Sequence, residues 1–257
     1  MITRLGCFTR PWDAAGLTLD EALAGISGAG YRYVGLNTRA YGPGWSESDR
    51  ASLRAKLDGH GLSPHVGFAN PDLELPLSES VDQLRKQIAW CRELGMRYLL
   101  LLGTEREDLY DRWFEAVAQC LDHAGEHGMM MVLKPHDGIS RLAPDMLRAV
   151  ERLRHPAFGI CYDPGNILYY TGLRPEDDLP KVAEHVRAMC IKDEIGGKHG
   201  EVMITPGTGD VDFRKVFSIL AGAGFSGPMW VECVGGKTPA ELTEEARKAR
   251  EFIERLL

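Results

Sequence analysis

Five times along the chain a helix-like segment runs into glycine and turns at once into a β-rich run. The phrases are "SGAGYRYVG" at 27–35, "DGHGLSPHVG" at 58–67, "RELGMRYLL" at 92–100, "GEHGMMMVL" at 125–133 and "AGAGFSGPMW" at 221–230. Glycine takes the left-handed backbone conformation that lets a chain leave a helix and enter a strand within a few residues. Strands separated by helices run parallel, because a parallel pair needs a long crossover. Eight β-rich runs can be counted: "LGCFT" at 5–9, "YVGLN" at 33–37, "PHVGF" at 64–68, "YLLLLG" at 98–103, "MMMVL" at 129–133, "FGICYD" at 158–163, "AMCIKD" at 188–193 and "MWVECV" at 229–234. Amphipathic stretches lie between them, one carrying Leu17, Leu19, Leu23 and Ile26 near helical spacing and another opening on the N-cap candidate Ser46. Eight such units in 257 residues predict one closed (β/α)8 barrel over 1–257. The competing arrangement is an open doubly wound sheet. Neither GxGxxG nor GxxxxGK(S/T) follows the first strand, which argues against that sheet and against a nucleotide cofactor.

Composition narrows the class further. Hydrophobic residues make up 44% and charged residues 26%, enough to bury a large core. A net charge of −7 with no basic block speaks against nucleic-acid binding, which depends on neutralising phosphates. The six cysteines form no CxxC pair, and Cys7, Cys161, Cys190 and Cys233 sit inside the apolar runs. They are expected to be reduced, buried thiols. No run reaches membrane-spanning length, and "MITRLGCFTRPWD" lacks the apolar stretch of a signal peptide. A cytoplasmic protein with no membrane partner is expected.

In a (β/α)8 barrel the chemistry sits at the C-terminal ends of the strands. Those ends offer Thr9, Arg10 and Trp12 from the first strand, Asn37 and Arg39 from the second, and His65, Asn70 and Asp72 from the third. The fourth gives the less distinctive Gly103, Thr104 and Glu105. The fifth gives Lys134 and His136, the sixth Asp163 and Asn166, the seventh Lys192, Asp193 and Glu194, and the eighth Glu232. Lys134, Asp163, Lys192 and Glu232 stand out because each interrupts or ends a hydrophobic run, where an unpaired charge is costly. Four at corresponding strand ends point to one shared pocket. His65 reads either as a core histidine or as a substrate ligand. Trp12, Phe68, Tyr162 and Tyr169 read as packing or as pocket walls, with Trp12 kept as a substrate-binding candidate. The glycine-rich segment "GGKHGEVMITPGTGD" at 196–210 reads as a mobile loop or a lid.

The succession "VLKPH", "CYDPGN", "CIKDEIGG…PGTGDVDF" and "WVECV" resembles the sugar phosphate isomerase/epimerase superfamily of xylose-isomerase-like TIM barrels. The resemblance runs along essentially the whole chain and is sharpest in its last third. It implies a divalent metal, manganese or magnesium and less often zinc, held by Glu, Asp, His and Glu from strands five to eight, with glutamates moving protons. Carried over position by position, Asp163 matches the aspartate and Glu232 the strand-eight glutamate. Asn166 stands where a substrate-binding histidine is frequent. The strand-five glutamate is Lys134 here and the strand-seven histidine falls at Cys190.

Two of four implied ligands are thus altered, and two versions of the site compete. In one, Asp163, Glu232 and His136 hold a metal that polarises a substrate carbonyl, while Glu232 shuttles a proton. In the other, Lys134 pairs with the two carboxylates and acts as electrostatic catalyst, or as base or Schiff-base nucleophile if burial lowers its pKa. Lys134 and Glu232 are the catalytic candidates. His65, Asn166, Lys192 and Trp12 are the substrate-binding candidates. The expected activity is isomerisation or epimerisation of a small polyhydroxylated carbonyl compound through an enediolate. The alternatives are a sugar-binding barrel without activity of its own and a lyase or dehydratase of the same superfamily. A homodimer or homotetramer is expected.

Overall fold

The computed structural model describes residues 4–37 and 45–257, so Arg39 lies outside the described residues. Its strands are β1 (Leu5–Phe8), β2 (Tyr33–Leu36), β3 (Ser63–Phe68), β4 (Tyr98–Leu101), β5 (Met130–Leu133), β6 (Phe158–Tyr162), β7 (Val186–Ile191) and β8 (Met229–Val231). They pair in sequence order, all parallel, and β1 closes on β8. This is the predicted (β/α)8 barrel, and each of the eight runs is a strand. The five glycines of the recurring phrase, Gly30, Gly61, Gly95, Gly128 and Gly224, all have positive φ, between 62° and 99°. The turn chemistry read from the sequence is the one the backbone uses.

The helices are α1 (Arg10–Ala14), α2 (Leu19–Gly28), α3 (Glu47–Gly59), α4 (Leu77–Glu93), α5 (Tyr110–Glu126), α6 (Ala143–Leu153), α7 (Pro164–Thr171), α8 (Pro175–Asp178), α9 (Phe213–Gly222) and α10 (Pro239–Glu254). Helices α6, α7, α8 and α10 carry proline in their first turn, where the missing N–H costs nothing. Asp163 caps α7 by accepting the Asn166 N–H at 2.9 Å, so one residue both ends the β6 segment and starts a helix at the barrel mouth. No helix among the described residues is long and apolar enough to cross a membrane.

Side chains alternate along each strand and build two apolar layers. Those facing outward, such as Leu99, Leu101, Met131, Leu133, Met189 and Ile191, join the helices in one continuous core. Those facing inward, Phe8, Val66, Leu100, Val132, Cys161, Ala188, Cys190 and Trp230, plug the barrel. Gly35 makes room for this plug: a β-carbon there would lie 2.4 Å from the Phe8 ring. All six cysteines are buried thiols, none joined in a disulfide.

Candidate active site

The inward set fixes what stands above it. Two residues beyond each inward side chain, the alternation returns to the barrel axis at its C-terminal mouth. From Phe8 that step reaches Arg10, from Gly35 Asn37, from Val66 Phe68 and from Leu100 Leu102. From Val132 it reaches Lys134, from Cys161 Asp163, from Cys190 Lys192 and from Trp230 Glu232. Seven of these eight line one cavity of about 580 Å³, and Asp163 lies directly beneath, fully buried. The volume falls within the ~300–1,000 Å³ usual for small-molecule sites.

The floor of the cavity is an ion cluster. Lys134 Nζ lies 2.9 Å from Asp163 Oδ2 and donates to Glu232 Oε2. Lys192 Nζ lies 3.1 Å from Glu232 Oε1 and 3.5 Å from Asp163 Oδ2, and donates to Asn166 Oδ1 at 2.9 Å. Asn166 in turn donates from Nδ2 to the Pro135 carbonyl at 2.6 Å, so the loop after β5 fixes the α7 amide that receives Lys192. Arg10 Nε stands 3.9 Å from Glu232 Oε1, and its Nη1 donates to the sulfurs of Cys233 and, at 3.1 Å, Met203. Three cations therefore face two carboxylates.

Burial alone would drive the Lys134 ammonium towards neutrality, but Asp163 and Glu232 outweigh it and hold its pKa well above the ordinary lysine value. The same balance works in reverse on Glu232. Burial would raise its pKa, and Lys134, Lys192 and Arg10 hold it well below the ordinary carboxylate range. Lys134 thus lacks the lowered pKa on which the base and Schiff-base roles depend.

The other sequence-derived candidates divide. Asn166, Lys192 and His136 line the cavity. His65 does not. A register shift between β2 and β3 leaves it without a partner opposite, and its ring stacks with Tyr33, Tyr98 and Trp230 below the cavity floor. There its Nδ1 accepts from Trp230 Nε1 at 3.3 Å, and burial with Arg4 and Arg97 lowers its pKa to about 4. Trp12 is fully buried against α2, its ring 2.7 Å from where a Gly25 β-carbon would stand, and it is not part of the cavity wall. Phe68 and Tyr169 line the cavity, whereas Tyr162 points into the helix layer and donates to the Pro175 carbonyl at 3.1 Å.

Asp163, Cys190 and Glu232 place one potential ligand atom each within 4.8 Å of one another. His136 is not in that group; its Nε2 meets the Tyr170 hydroxyl at 2.6 Å instead. The three do not fit a dication as they stand. The carboxylate oxygens nearest the centre are taken by ammonium groups, and burial pushes the Cys190 thiol far up, so it keeps its proton. A metal ion needs the deprotonated ligand, and ammonium groups this close repel a dication.

Three features went unassigned in the sequence. Arg10 was noted without a role. Tyr170 was not noted at all, although Asn166 and Tyr170 are four apart and share one face of α7, a spacing readable once that helix is recognised. Asp193 proves to be a loop anchor: its carboxylate accepts the backbone N–H groups of Glu194 (2.9 Å), Gly207 (2.8 Å), Gly209 (2.9 Å) and Val211 (3.1 Å). The 196–210 loop it fastens brings Val202 to the cavity wall and packs His199 edge-on against Tyr169. The expected mobile lid is thus a segment tied at both ends.

Residues 23–256 match the family described as xylose isomerase-like TIM barrel. The inosose dehydratase of Geobacillus kaustophilus is 24% identical over 299 residues, covering 99% of this chain and 94% of that protein. That of Geobacillus thermodenitrificans is 28% identical over 166 residues, 57% of this chain and 54% of its own length. Among solved structures, D-allulose 3-epimerase from Methylomonas sp. in complex with D-allulose shares 19% identity at a TM-score of 0.76, covering 99% of this chain and 97% of that one. A xylose isomerase-like TIM barrel protein from Mycobacterium smegmatis in complex with magnesium shares 16% at 0.78, over 100% of both chains. At such identities the structures speak to the fold. The match along 23–256 and the closed eight-stranded architecture together make this chain a member of the xylose isomerase-like TIM barrel family.

Proposed function

We propose that this barrel enolises a small polyhydroxylated ketone and completes the reaction by expelling a neighbouring hydroxyl group as water. One observation carries the reading: two lysine ammonium groups, pinned by two buried carboxylates, form the floor of a polar cavity. Fixed N–H donors aimed at a carbonyl oxygen stabilise the enolate that forms when the adjacent carbon loses its proton, and they need no reorganisation to do so. The surplus cation, three against two, matches the single negative charge that develops. Lys134 and Lys192 face the ketone oxygen, Asp163 and Glu232 hold them in place, and the wall residues Asn37, Asn70 and Gln87 suit hydroxyl groups. Elimination rather than epimerisation is favoured by the inosose dehydratases that align along this chain, one over 94% of its length.

In this reading the ammonium groups take over the electrostatic work that a divalent metal does elsewhere. Purified protein is expected to hold far less than one tightly bound metal ion per chain; elemental analysis finding stoichiometric manganese, magnesium or zinc would overturn the metal-free assignment.

The activity itself is tested by incubating the protein with inosose, a polyhydroxylated cyclohexanone, in D2O. Deuterium is expected beside the carbonyl in recovered inosose, together with the ultraviolet absorbance of an unsaturated ketone, in which that carbon has joined the double bond and holds no hydrogen. An epimer without absorbance moves the assignment to epimerase. No deuterium and no product, across inosose and simple ketoses, leaves only a sugar-binding barrel and sinks the proposal.

A further inference from the structure

Enolisation needs a group that takes up a proton, and the cavity floor does not offer one. Lys134 is held protonated, and Glu232 is held ionised by three cations, which makes it a poor base. The cavity wall carries further titratable groups: Asp72, which is exposed and accepts the Glu74 N–H at 3.0 Å, Tyr169, and the pair His136, from the loop after β5, and Tyr170, from the last turn of α7. Their rings pack at 4.6 Å between centroids, and the Tyr170 hydroxyl lies 2.6 Å from His136 Nε2. On its far side His136 Nδ1 faces the Glu105 carboxylate at 3.6 Å. A carboxylate beside Nδ1 favours the tautomer with its proton there, leaving Nε2 to accept from the tyrosine. Glutamate, imidazole and phenol thus stand in a row that ends in the cavity. The row has the logic of a nucleophile–base–orienter triad, with a phenol at the working end.

Resting on the enolisation reading, we propose that Tyr170 is the catalytic proton carrier and His136 the positioning residue that stores its proton. The C–H bond beside the carbonyl breaks, its electron pair enters the enolate and its proton goes to the Tyr170 oxygen. The phenol's own proton passes at the same time to His136 Nε2, and the imidazolium faces Glu105. The enolate pair then forms the carbon–carbon double bond and the neighbouring C–O bond breaks with its electrons on oxygen. That oxygen takes the proton of Tyr170 and leaves as water, while His136 returns its proton to Tyr170. Ketone becomes unsaturated ketone plus water, and the protein ends as it began.

In the resting state the acceptor is empty and the phenol holds its proton. His136 is neutral, because burial and the Lys134 and Lys192 charges, only partly offset by Glu232 and Asp163, bring its pKa to about 4. Tyr170 is protonated, its pKa pushed up to about 12 by burial despite Lys134. The empty acceptor and the held proton are the pair such a relay starts from.

The test compares Tyr170→Phe and His136→Ala with the unaltered protein on inosose in D2O. Tyr170→Phe is expected to lose about 100-fold or more in kcat, the range of a general acid–base group, with KM within about threefold. His136→Ala is expected to lose about tenfold or more and to regain part of it with added imidazole, which a structural role would not do. Melting curves check folding, and if Tyr170→Phe is not folded the imidazole rescue of His136→Ala decides. Deuterium exchange by Tyr170→Phe within threefold of the unaltered protein, or no rescue of a folded His136→Ala, overturns the relay alone. Absence of both exchange and unsaturated product with the unaltered protein overturns the enolisation reading, and the relay with it.

Discussion

Lys134→Met is expected to cost about 3–5 kcal/mol of stability and to remove turnover, because it leaves two buried carboxylates facing each other across the barrel axis. Asp163 and Lys134 are essentially without solvent contact, and Glu232 nearly so. Methionine matches the stem of lysine, so the loss is electrostatic rather than a cavity. Lys192 remains, 3.1 Å from Glu232 and 3.5 Å from Asp163, which places the cost at the lower end of that range. The same reasoning makes Glu232→Gln on the Lys134→Met background a partial rescue of stability, since one surplus negative charge is then gone, without any rescue of turnover. The contribution of the cluster has a defined pH window. Glu232 is depressed in the folded state, so its share is present above the ordinary carboxylate range and lost as pH falls through its lowered value. Lys134 is raised, so its share is present below the ordinary lysine range and lost only as pH rises beyond it. Between those limits the penalty of Lys134→Met is constant. Urea titrations of the three proteins at neutral pH check this. A Lys134→Met protein within about 1 kcal/mol of the original, or a double variant less stable than the single, contradicts the coupling.

The strand ends were legible because the alternation in a strand is rigid. Once Val132, Cys161, Cys190 and Trp230 are inside, Lys134, Asp163, Lys192 and Glu232 can point nowhere but the mouth. Barrel closure followed from the glycines, whose left-handed conformation is a local property that a sequence displays openly. Side chains that depend on distant packing were not legible. His65 sits in a strand that slips its register against β2, so the simple alternation gives no warning that its ring turns into the lower barrel. Trp12 belongs to a five-residue helix whose direction is set by α2, through the space that Gly25 leaves for the indole. Tyr170 escaped because α7 is only eight residues long and starts directly from a strand end, too short for its periodicity to register. The partner of His136 was therefore invisible, and a metal was the natural alternative for it.

Asp193→Ala is expected to lower stability by about 2–4 kcal/mol and to open the loop between β7 and α9 to proteases. One fully buried carboxylate accepts four backbone N–H groups, those of Glu194, Gly207, Gly209 and Val211. A buried donor left without an acceptor costs about 1–3 kcal/mol, and water reaching the exposed Gly207 side of the loop moderates the sum. Asn is half a remedy: its oxygen can accept from one pair of N–H groups, while its NH2 presents donors to the other pair. The loop cannot close the gap by moving inward either: a β-carbon at Gly209 would already lie 2.5 Å from the Asp193 carboxylate. Two consequences separate the anchor from an ordinary packing residue. Cleavage should appear within 195–211 and nowhere else. KM should rise more than kcat falls, since Val202 leaves the cavity wall and Met203 leaves Arg10, while the ammonium floor is untouched. Limited proteolysis with mass mapping and steady-state kinetics on the same preparation give both readings, and an Asp193→Ala protein that resists cleavage and keeps its KM would show that the loop is held by something other than this carboxylate.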